Sequence, residues 1–154
     1  MWPEDIIAVL YKLIRDNWNS ANTNSITPIF GTGYLEAQDA NPHQVQIKNI
    51  PAENATGTSG VHGINPGGGN NQLFRGLAFV DCIAEEGDGV DDPDYMSDLF
   101  SREIARIIRA NMNSVAGYDY VSFLGYNRIP PQQGDRPFKI IRSCRIGFQW
   151  RIEV

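Results

Sequence analysis

The sequence has little of what membrane-spanning and disulfide-rich proteins need. Its longest apolar runs fall well short of the roughly 20 residues that cross a bilayer, so no membrane span is expected. The first residues show no basic segment followed by an apolar run, which predicts no secretion signal and synthesis in the cytoplasm. Two cysteines in 154 residues cannot supply a disulfide framework. Cys82 and Cys144 stand in apolar segments, and we interpret both as small buried side chains.

Residues and motifs that carry catalysis are equally scarce. The two histidines, His43 and His62, stand at no zinc-finger spacing from the cysteines. No serine lies in a nucleophile elbow, and the chain lacks a dinucleotide fingerprint, a Walker lysine and a metalloprotease helix. We therefore predict no catalytic residue, no cofactor and no metal site, and a protein that is not an enzyme.

Basic residues are also fewer than acidic ones: the chain has 13 basic and 18 acidic residues, and its net charge is −5. Proteins that bind duplex nucleic acid normally concentrate a basic excess on one face, so sequence-specific binding of DNA is not expected. The C-terminal third is locally basic, which leaves open either a basic patch that faces a polyanion or a solvated strand face.

The densest acidic cluster lies at residues 85–94, where six of ten residues are carboxylates. A calcium-binding loop needs oxygen ligands at alternating positions and a closing glutamate. Pro93 interrupts that alternation, and no glutamate closes a loop that begins at Asp88. We therefore favour a capping role, in which Asp92 or Asp94 accepts hydrogen bonds at the start of the next helix. Weak metal binding by this segment remains the alternative.

Two amphipathic helices are predicted from apolar residues that recur with helical spacing. The first runs from Asp5 to Trp18. The second runs from about Asp94 to Asn113, and its predicted core stripe comprises Met96, Phe100, Ile104, Ile107, Ile108 and Met112. Its predicted solvent face comprises Arg102, Glu103, Arg106 and Arg109.

Strands are predicted where apolar residues alternate or form short runs. The predicted segments are 26–30, 43–50, 76–83, 118–126 and 138–154. The last alternates over seventeen residues, which is far longer than the usual five or six. Such a strand either bends, at Arg142 to Ser143 or at Gly147, or pairs in part with a neighbouring subunit.

Residues 51–73 form a glycine- and asparagine-rich segment that is predicted to be a long loop. Fixing its backbone costs about 1–2 kcal/mol per residue, whereas its few apolar side chains return only about 1.5–3 kcal/mol each on burial. We therefore predict that the loop is flexible or is ordered by a partner. Gly67 to Gly69 are not followed by the lysine and the helix that a phosphate cradle requires. The candidate partner-binding residues are Val61, His62, Ile64, Asn70, Asn71 and Leu73.

This order of elements predicts one domain over residues 1–154, of the α/β (α+β) class. We expect a single mixed or antiparallel sheet with two helices packed on one face, a long C-terminal strand and a long Gly/Asn-rich loop. The residues that carry a family resemblance are the helix Asp5–Trp18, the strand-to-helix passage Gly76–Asn113 with its acidic connector, and the closing strands Val121–Tyr126 and Phe138–Val154. In this organisation the chain resembles the tail terminator and tail-completion proteins of long-tailed viruses of bacteria and archaea.

The resemblance implies a structural virion protein without catalytic residues. Members of that family form rings, typically hexamers, that sit on the last ring of the tail tube and join it to the head side of the neck. The implied partners are further copies of the chain, the tail-tube protein and a neck or connector protein. Viral DNA would pass through the lumen without sequence-specific binding. The segment Pro51–Leu73 would match the family's variable loop, facing a neighbour or the lumen, although its long Gly/Asn arm departs from the family pattern.

Two other hypotheses stay open. The first is another component of the virion neck or tail, such as a head–tail connector or a tail-tube protein. The second is a small ligand-binding protein or enzyme of the host, for which the acidic segment 85–94 is the main support.

Overall fold

The computed structural model describes residues 4–33, 43–48, 60–64, 71–87, 89–130 and 139–153. Within these ranges the chain forms two α-helices, one 3-10 helix and six strands. In order they are α1 (Ile6–Asn17), the 3-10 helix Ser20–Thr23, β1 (Ile29–Gly31), β2 (Gln44–Lys48), β3 (Gly60–Ile64), β4 (Asn71–Glu85), α2 (Pro93–Ala110), β5 (Tyr120–Ile129) and β6 (Lys139–Glu153). Neither helix is both long and apolar enough to cross a membrane.

All six strands belong to one sheet, which confirms the predicted fold class. Its order is β1-β2-β4-β6-β5, and β3 also pairs with β4. The β1–β2 pairing is parallel and every other pairing is antiparallel, so the sheet is mixed. β2 and β3 lie one after the other along the same edge of β4, since β2 pairs with residues 79–83 and β3 with residues 73–77.

The long C-terminal strand β6 is present, but it lies inside the sheet. It pairs with β4 over its whole length, from Lys139 opposite Glu85 to Glu153 opposite Asn71. Residues 141–149 pair with β5 on the other side. The hypothesis that β6 recruits a neighbouring subunit is therefore wrong for residues 141–149. A strand of this length is satisfied within the chain because β4 is equally long.

The glycine-rich segment contains strands that the sequence did not predict. Gly60–Ile64 forms β3, and β4 already begins at Asn71, so the loop prediction is wrong at 60–64 and 71–73. Its residues 51–59 and 65–70 lie outside the described residues. Residues 60–64 form a strand because β4 supplies the backbone hydrogen bonds that this glycine-rich segment lacks by itself.

The helices begin and end close to the predicted residues. Asp92 caps α2 as expected, because its carboxylate accepts hydrogen bonds from the N–H groups of Asp94 (3.1 Å) and Tyr95 (3.3 Å). α2 ends at Ala110 rather than Asn113. Met112 therefore falls beyond the helix and is 42% exposed, against the prediction that it joins the core stripe.

The core lies between the sheet and the two helices, which pack on the same face. α1 packs against β1, β2 and α2, whereas α2 packs against β4, β5 and β6. Cys82 of β4 and Cys144 of β6 are fully buried in this core, as predicted. Large side chains that fill it include Leu10, Ile14, Phe100, Ile104, Ile146 and Phe148.

Candidate interaction surface at the edge of the sheet

The strand β5 forms one edge of the sheet. Among the described residues it pairs with β6 alone. At its start the N–H of Val121 donates to the carbonyl of Met112 at 2.9 Å, so the turn after α2 covers this part of the edge. No described strand lies beside the rest, from Phe123 to Ile129. An edge of this kind is a template on which a further strand can pair.

A β-bulge divides β5 in the middle. The register shifts between Phe123 and Gly125, so that Leu124 is the extra residue. Gly125 has a φ of +117°, a backbone conformation that residues with side chains rarely adopt. The bulge twists the strand locally, and the two large exposed apolar side chains of this edge, Leu124 and Tyr126, stand on either side of Gly125.

On the helix side of β5, a groove of about 330 Å³ separates the strand from α2. The groove is lined by Asp98, Ser101, Arg102, Ala105, Arg109, Phe123 and Tyr126, which include two basic and two aromatic side chains. The guanidinium of Arg109 lies 5.8 Å from the ring centroid of Phe123. That of Arg142, below the groove, lies 4.9 Å from the ring centroid of Tyr126. Both contacts have cation–π geometry.

The groove carries more positive than negative charge. Arg102 pairs with Asp98 at 2.9 Å, and its side chain is 75% exposed. Asp98 also lies 3.7 Å from the buried Arg142, so its charge is shared between two arginines. Arg109 forms no ion pair with any residue in the described ranges. The lining therefore has two arginines against one aspartate, in a protein whose net charge is −5.

A network of ion pairs fixes β5 and β6 to the first turn of α2. Asp94 accepts hydrogen bonds from Arg128 of β5 and from Arg142 of β6, both at 2.8 Å. Arg142 also donates to the hydroxyl of Ser97 at 3.1 Å. The bond from Arg128 lowers the pKa of Asp94, partial burial opposes this, and Arg142 adds to the lowering. This network holds Tyr126 in place, because Arg142 lies over its ring.

A second groove, of about 310 Å³, lies on the helix-free side of the same strand. Leu124 leans over Gly147 of β6, where an added Cβ would come within 3.1 Å of Leu124 Cδ1. Apart from these two residues, side chains that line the groove include Arg75, Leu77, Tyr120 and Ser122. One exposed apolar side chain thus flanks the β5 edge on each side, Tyr126 toward α2 and Leu124 on the helix-free side.

The acidic connector between β4 and α2 presents a different surface. Gly87 and Val90 exchange backbone hydrogen bonds at 2.9 Å and close a tight turn. Glu86 and Asp91 are exposed, and neither forms an ion pair with a described residue. Tyr95, one helical turn after Asp91, is 54% exposed. Asp88 lies outside the described residues, among which no group of three or more His, Cys, Asp or Glu side chains could hold a metal ion.

The partner-binding residues that the sequence suggested lie away from β5. Val61, His62 and Ile64 lie in β3, and Asn71 and Leu73 lie in β4, and β6 lies between β4 and β5 in the sheet. Asn70 lies outside the described residues.

Sequence reasoning missed Leu124 and Tyr126, although a signal was present. The apolar alternation of the predicted strand 118–126 breaks at the Leu124-Gly125 pair, as it does at a bulge. No protein-family model and no curated protein matches this chain. The functional conclusion therefore depends on the surface around β5.

Proposed function

We propose that this protein is a structural virion subunit, a tail terminator or tail-completion protein whose copies form a ring. The observation that carries the proposal is the β5 edge from Phe123 to Ile129, which has no strand partner in the described part of the chain, with Leu124 and Tyr126 exposed beside it. An unpaired edge flanked by apolar side chains promotes association, and contact with another copy removes it from solvent. Apart from β3, the order of helices and strands agrees with the predicted order that resembles the family.

The two edges of the sheet differ, which suits a ring. β5 forms one edge, whereas β1 and β3 lie toward the other. A contact between β5 of one copy and a different surface of the next is head-to-tail. Such contacts generate a closed ring when the rotations that relate successive copies add up to a full turn. In the proposed role six copies cap the tail tube and join it to the head side of the neck. The partners are the tail-tube protein and a neck or connector protein.

The charge of the chain fits passage of DNA through such a ring. A net charge of −5 gives little overall attraction for phosphates, so the DNA would slide through the lumen without sequence-specific binding. The protein would be made in the host cytoplasm and would act at the head–tail junction of the virion.

The surface assigned to assembly differs from the one that the sequence suggested. The C-terminal strand and the glycine-rich segment were expected to seek partners, but β6 and β3 pair within the chain. The outer edge of β5 is left as the longest strand edge without a described partner.

The test is the oligomeric state of the purified full chain. Native mass spectrometry and electron microscopy over a range of concentrations should show closed rings of one dominant stoichiometry. Leu124→Asn and Tyr126→Asn together should shift the population towards monomers, because they remove apolar contact area beside the edge. Lys12→Asn, at an exposed position on α1, is the control and should leave the rings intact. A chain that stays monomeric at every concentration would overturn the proposal.

A further inference from the structure

We infer that the groove between α2 and β5 receives the acidic connector of a second copy of this chain. The inference rests on the proposed ring and names the two surfaces that meet in it. The receiving surface, which we call the basic groove, includes the side chains of Arg102, Arg109, Phe123 and Tyr126. The inserted surface, the acidic knob, consists of Glu86, Asp91 and Tyr95.

The basic groove has the chemistry to bind carboxylates beside an aromatic ring. Arg109 lies over Phe123 and has no carboxylate partner in the described part of the chain. Arg102 is largely exposed and shares Asp98 with Arg142. An arginine that is already stacked on an aromatic ring loses less conformational freedom when it pairs with an anion.

The acidic knob supplies the complementary groups. Glu86 and Asp91 offer exposed carboxylates, whereas Asp92 and Asp94 are occupied by the helix cap and by Arg128 and Arg142. Tyr95 adds an exposed aromatic ring, a type of side chain that is enriched at the centres of interfaces.

The knob and the groove of one copy cannot fill each other. Glu86 and Asp91 precede α2 and Tyr95 lies in its first turn, whereas Arg109 lies in its last turn. The helical rise separates Pro93 from Arg109 by roughly 24 Å. The carboxylates of Glu86 and Asp91 and the guanidinium of Arg109, which form no ion pair with a described residue, can therefore meet across two copies. Because each copy has one knob and one groove, the contact repeats from copy to copy.

A charge exchange tests the contact. The first variant carries Arg102→Glu and Arg109→Glu, and the second carries Glu86→Arg and Asp91→Arg. Alone, each variant places like charges across the contact, so we expect its association to weaken by at least about tenfold. A one-to-one mixture should form rings again, with equal numbers of the two variants by native mass spectrometry, since each groove then faces a knob of opposite charge.

The substituted side chains are exposed, and circular dichroism with thermal melting checks that each variant folds. If a reversal disturbs folding, the neutral pair Arg102→Gln and Arg109→Gln replaces it, with a smaller loss of association expected. The control matched to the first variant, Lys12→Glu and Arg15→Glu on α1, changes the net charge by the same amount as that variant and should leave association unchanged.

The outcomes separate this inference from the proposed ring. Rings that survive both reversals would overturn the knob-and-groove contact and leave the ring itself standing. If each charge-reversal variant fails to associate alone and the one-to-one mixture also forms no rings, the knob-and-groove contact would be overturned as well. A wild-type chain that is monomeric at every concentration would overturn both proposals.

Discussion

The carboxylate of Glu103 in α2 accepts a hydrogen bond from the backbone N–H of Asn19 at 2.7 Å, although the two residues stand 84 positions apart. Its other oxygen accepts from the side-chain amide of Asn22 at 2.9 Å and from Arg106 at 2.6 Å. Arg106 in turn donates to the carbonyl of Asn17 at 2.8 Å. One carboxylate thus ties the chain after α1 to the middle of α2. The prediction that Glu103 lies on the solvent face is wrong, because the segment after α1 covers it.

Glu103→Ala should therefore destabilise the fold. It leaves the N–H of Asn19 and the amide of Asn22 without their acceptor, and we expect a loss of roughly 2–4 kcal/mol in the free energy of unfolding. Urea denaturation at neutral pH measures the change. Arg102→Ala, on the exposed side of the same helix, is the control and should stay within about 0.5 kcal/mol of wild type. A similarly small change for Glu103→Ala would contradict the assigned role.

The pH dependence of Glu103 gives a second test. Burial raises its pKa, but the hydrogen bonds from Arg106, Asn19 and Asn22 outweigh this and bring the pKa below its usual value of 4.5. The unfolded chain then binds the proton more readily. The stabilisation that ionised Glu103 contributes is fully present above the pKa of the unfolded chain. It is lost as the pH falls through the lowered pKa of the folded protein. Glu103→Gln should flatten this acid-side loss in denaturation curves, and a slope equal to that of wild type would argue against it.

Ionisation of Asp81 should change the stability of the fold with pH in the opposite direction to ionisation of Glu103. It is 1% exposed on the helix-free side of β4, with Lys48 of β2 at 2.5 Å. Burial raises its pKa, and Lys48 and Ser143 offset only part of that effect. The folded chain therefore binds the proton more readily, so its stability falls as the pH rises from about 4 through the raised pKa.

Asp81→Asn should remove this fall, because the side chain at position 81 then no longer titrates. Unfolding free energies at several pH values between about 4 and 8 measure it. Asp16→Asn, at an exposed position on α1, serves as the control and should track wild type. A curve for Asp81→Asn that ran parallel to the wild-type curve would refute the assignment.

The two thiols should be slow to react in the folded protein. Cys82 and Cys144 are fully buried. Burial, together with the neighbouring Cys144, raises the pKa of the Cys82 thiol well above its usual value. Since the thiolate is the nucleophile, a disulfide reagent such as Ellman's should label the native chain far more slowly than the unfolded chain. Ser114→Cys, at an exposed position, should react at once, and equally rapid labelling of the native wild type would rule out the buried pair.

Gly125→Ala should destabilise the bulge in β5. Its φ of +117° is strained for any residue with a Cβ, although the nearest atom to an added Cβ, on Arg145, is 3.9 Å away. We expect a cost of about 1–3 kcal/mol from the backbone alone. Gly33→Ala, where nothing lies within 4 Å of the added Cβ and φ is ordinary, is the comparison. Equal melting temperatures for the two variants would exclude the strain.

The parts of the fold that sequence could predict are those set by local periodicity. The apolar stripe through Phe100 and Ile104 predicted α2, and the alternation after Phe138 predicted β6. The partners of β6 were not predictable, because pairing of residues 71–85 with 139–153 depends on distant chain segments. β3 was missed for the same reason, since its glycine-rich sequence has little strand preference and depends on β4.

The candidate surface was harder to predict than the fold. Leu124 and Tyr126 belong to a predicted strand, but only the strand order makes that strand an edge. Arg102 and Arg109 were placed on the solvent face of α2, where they are found. Their position beside Phe123 requires α2 to pack against β5, which no local pattern contains.

The place of β6 between β4 and β5 also bears on how the chain is made. A ribosome releases β4 and β5 before the strand that must insert between them, so the nascent chain holds two long ribbons that cannot yet join. Until β6 arrives, each ribbon offers a bare hydrogen-bonding side to other nascent chains or to chaperones. Release of Lys139–Glu153 is thus the step that allows β4 and β5 to join one sheet.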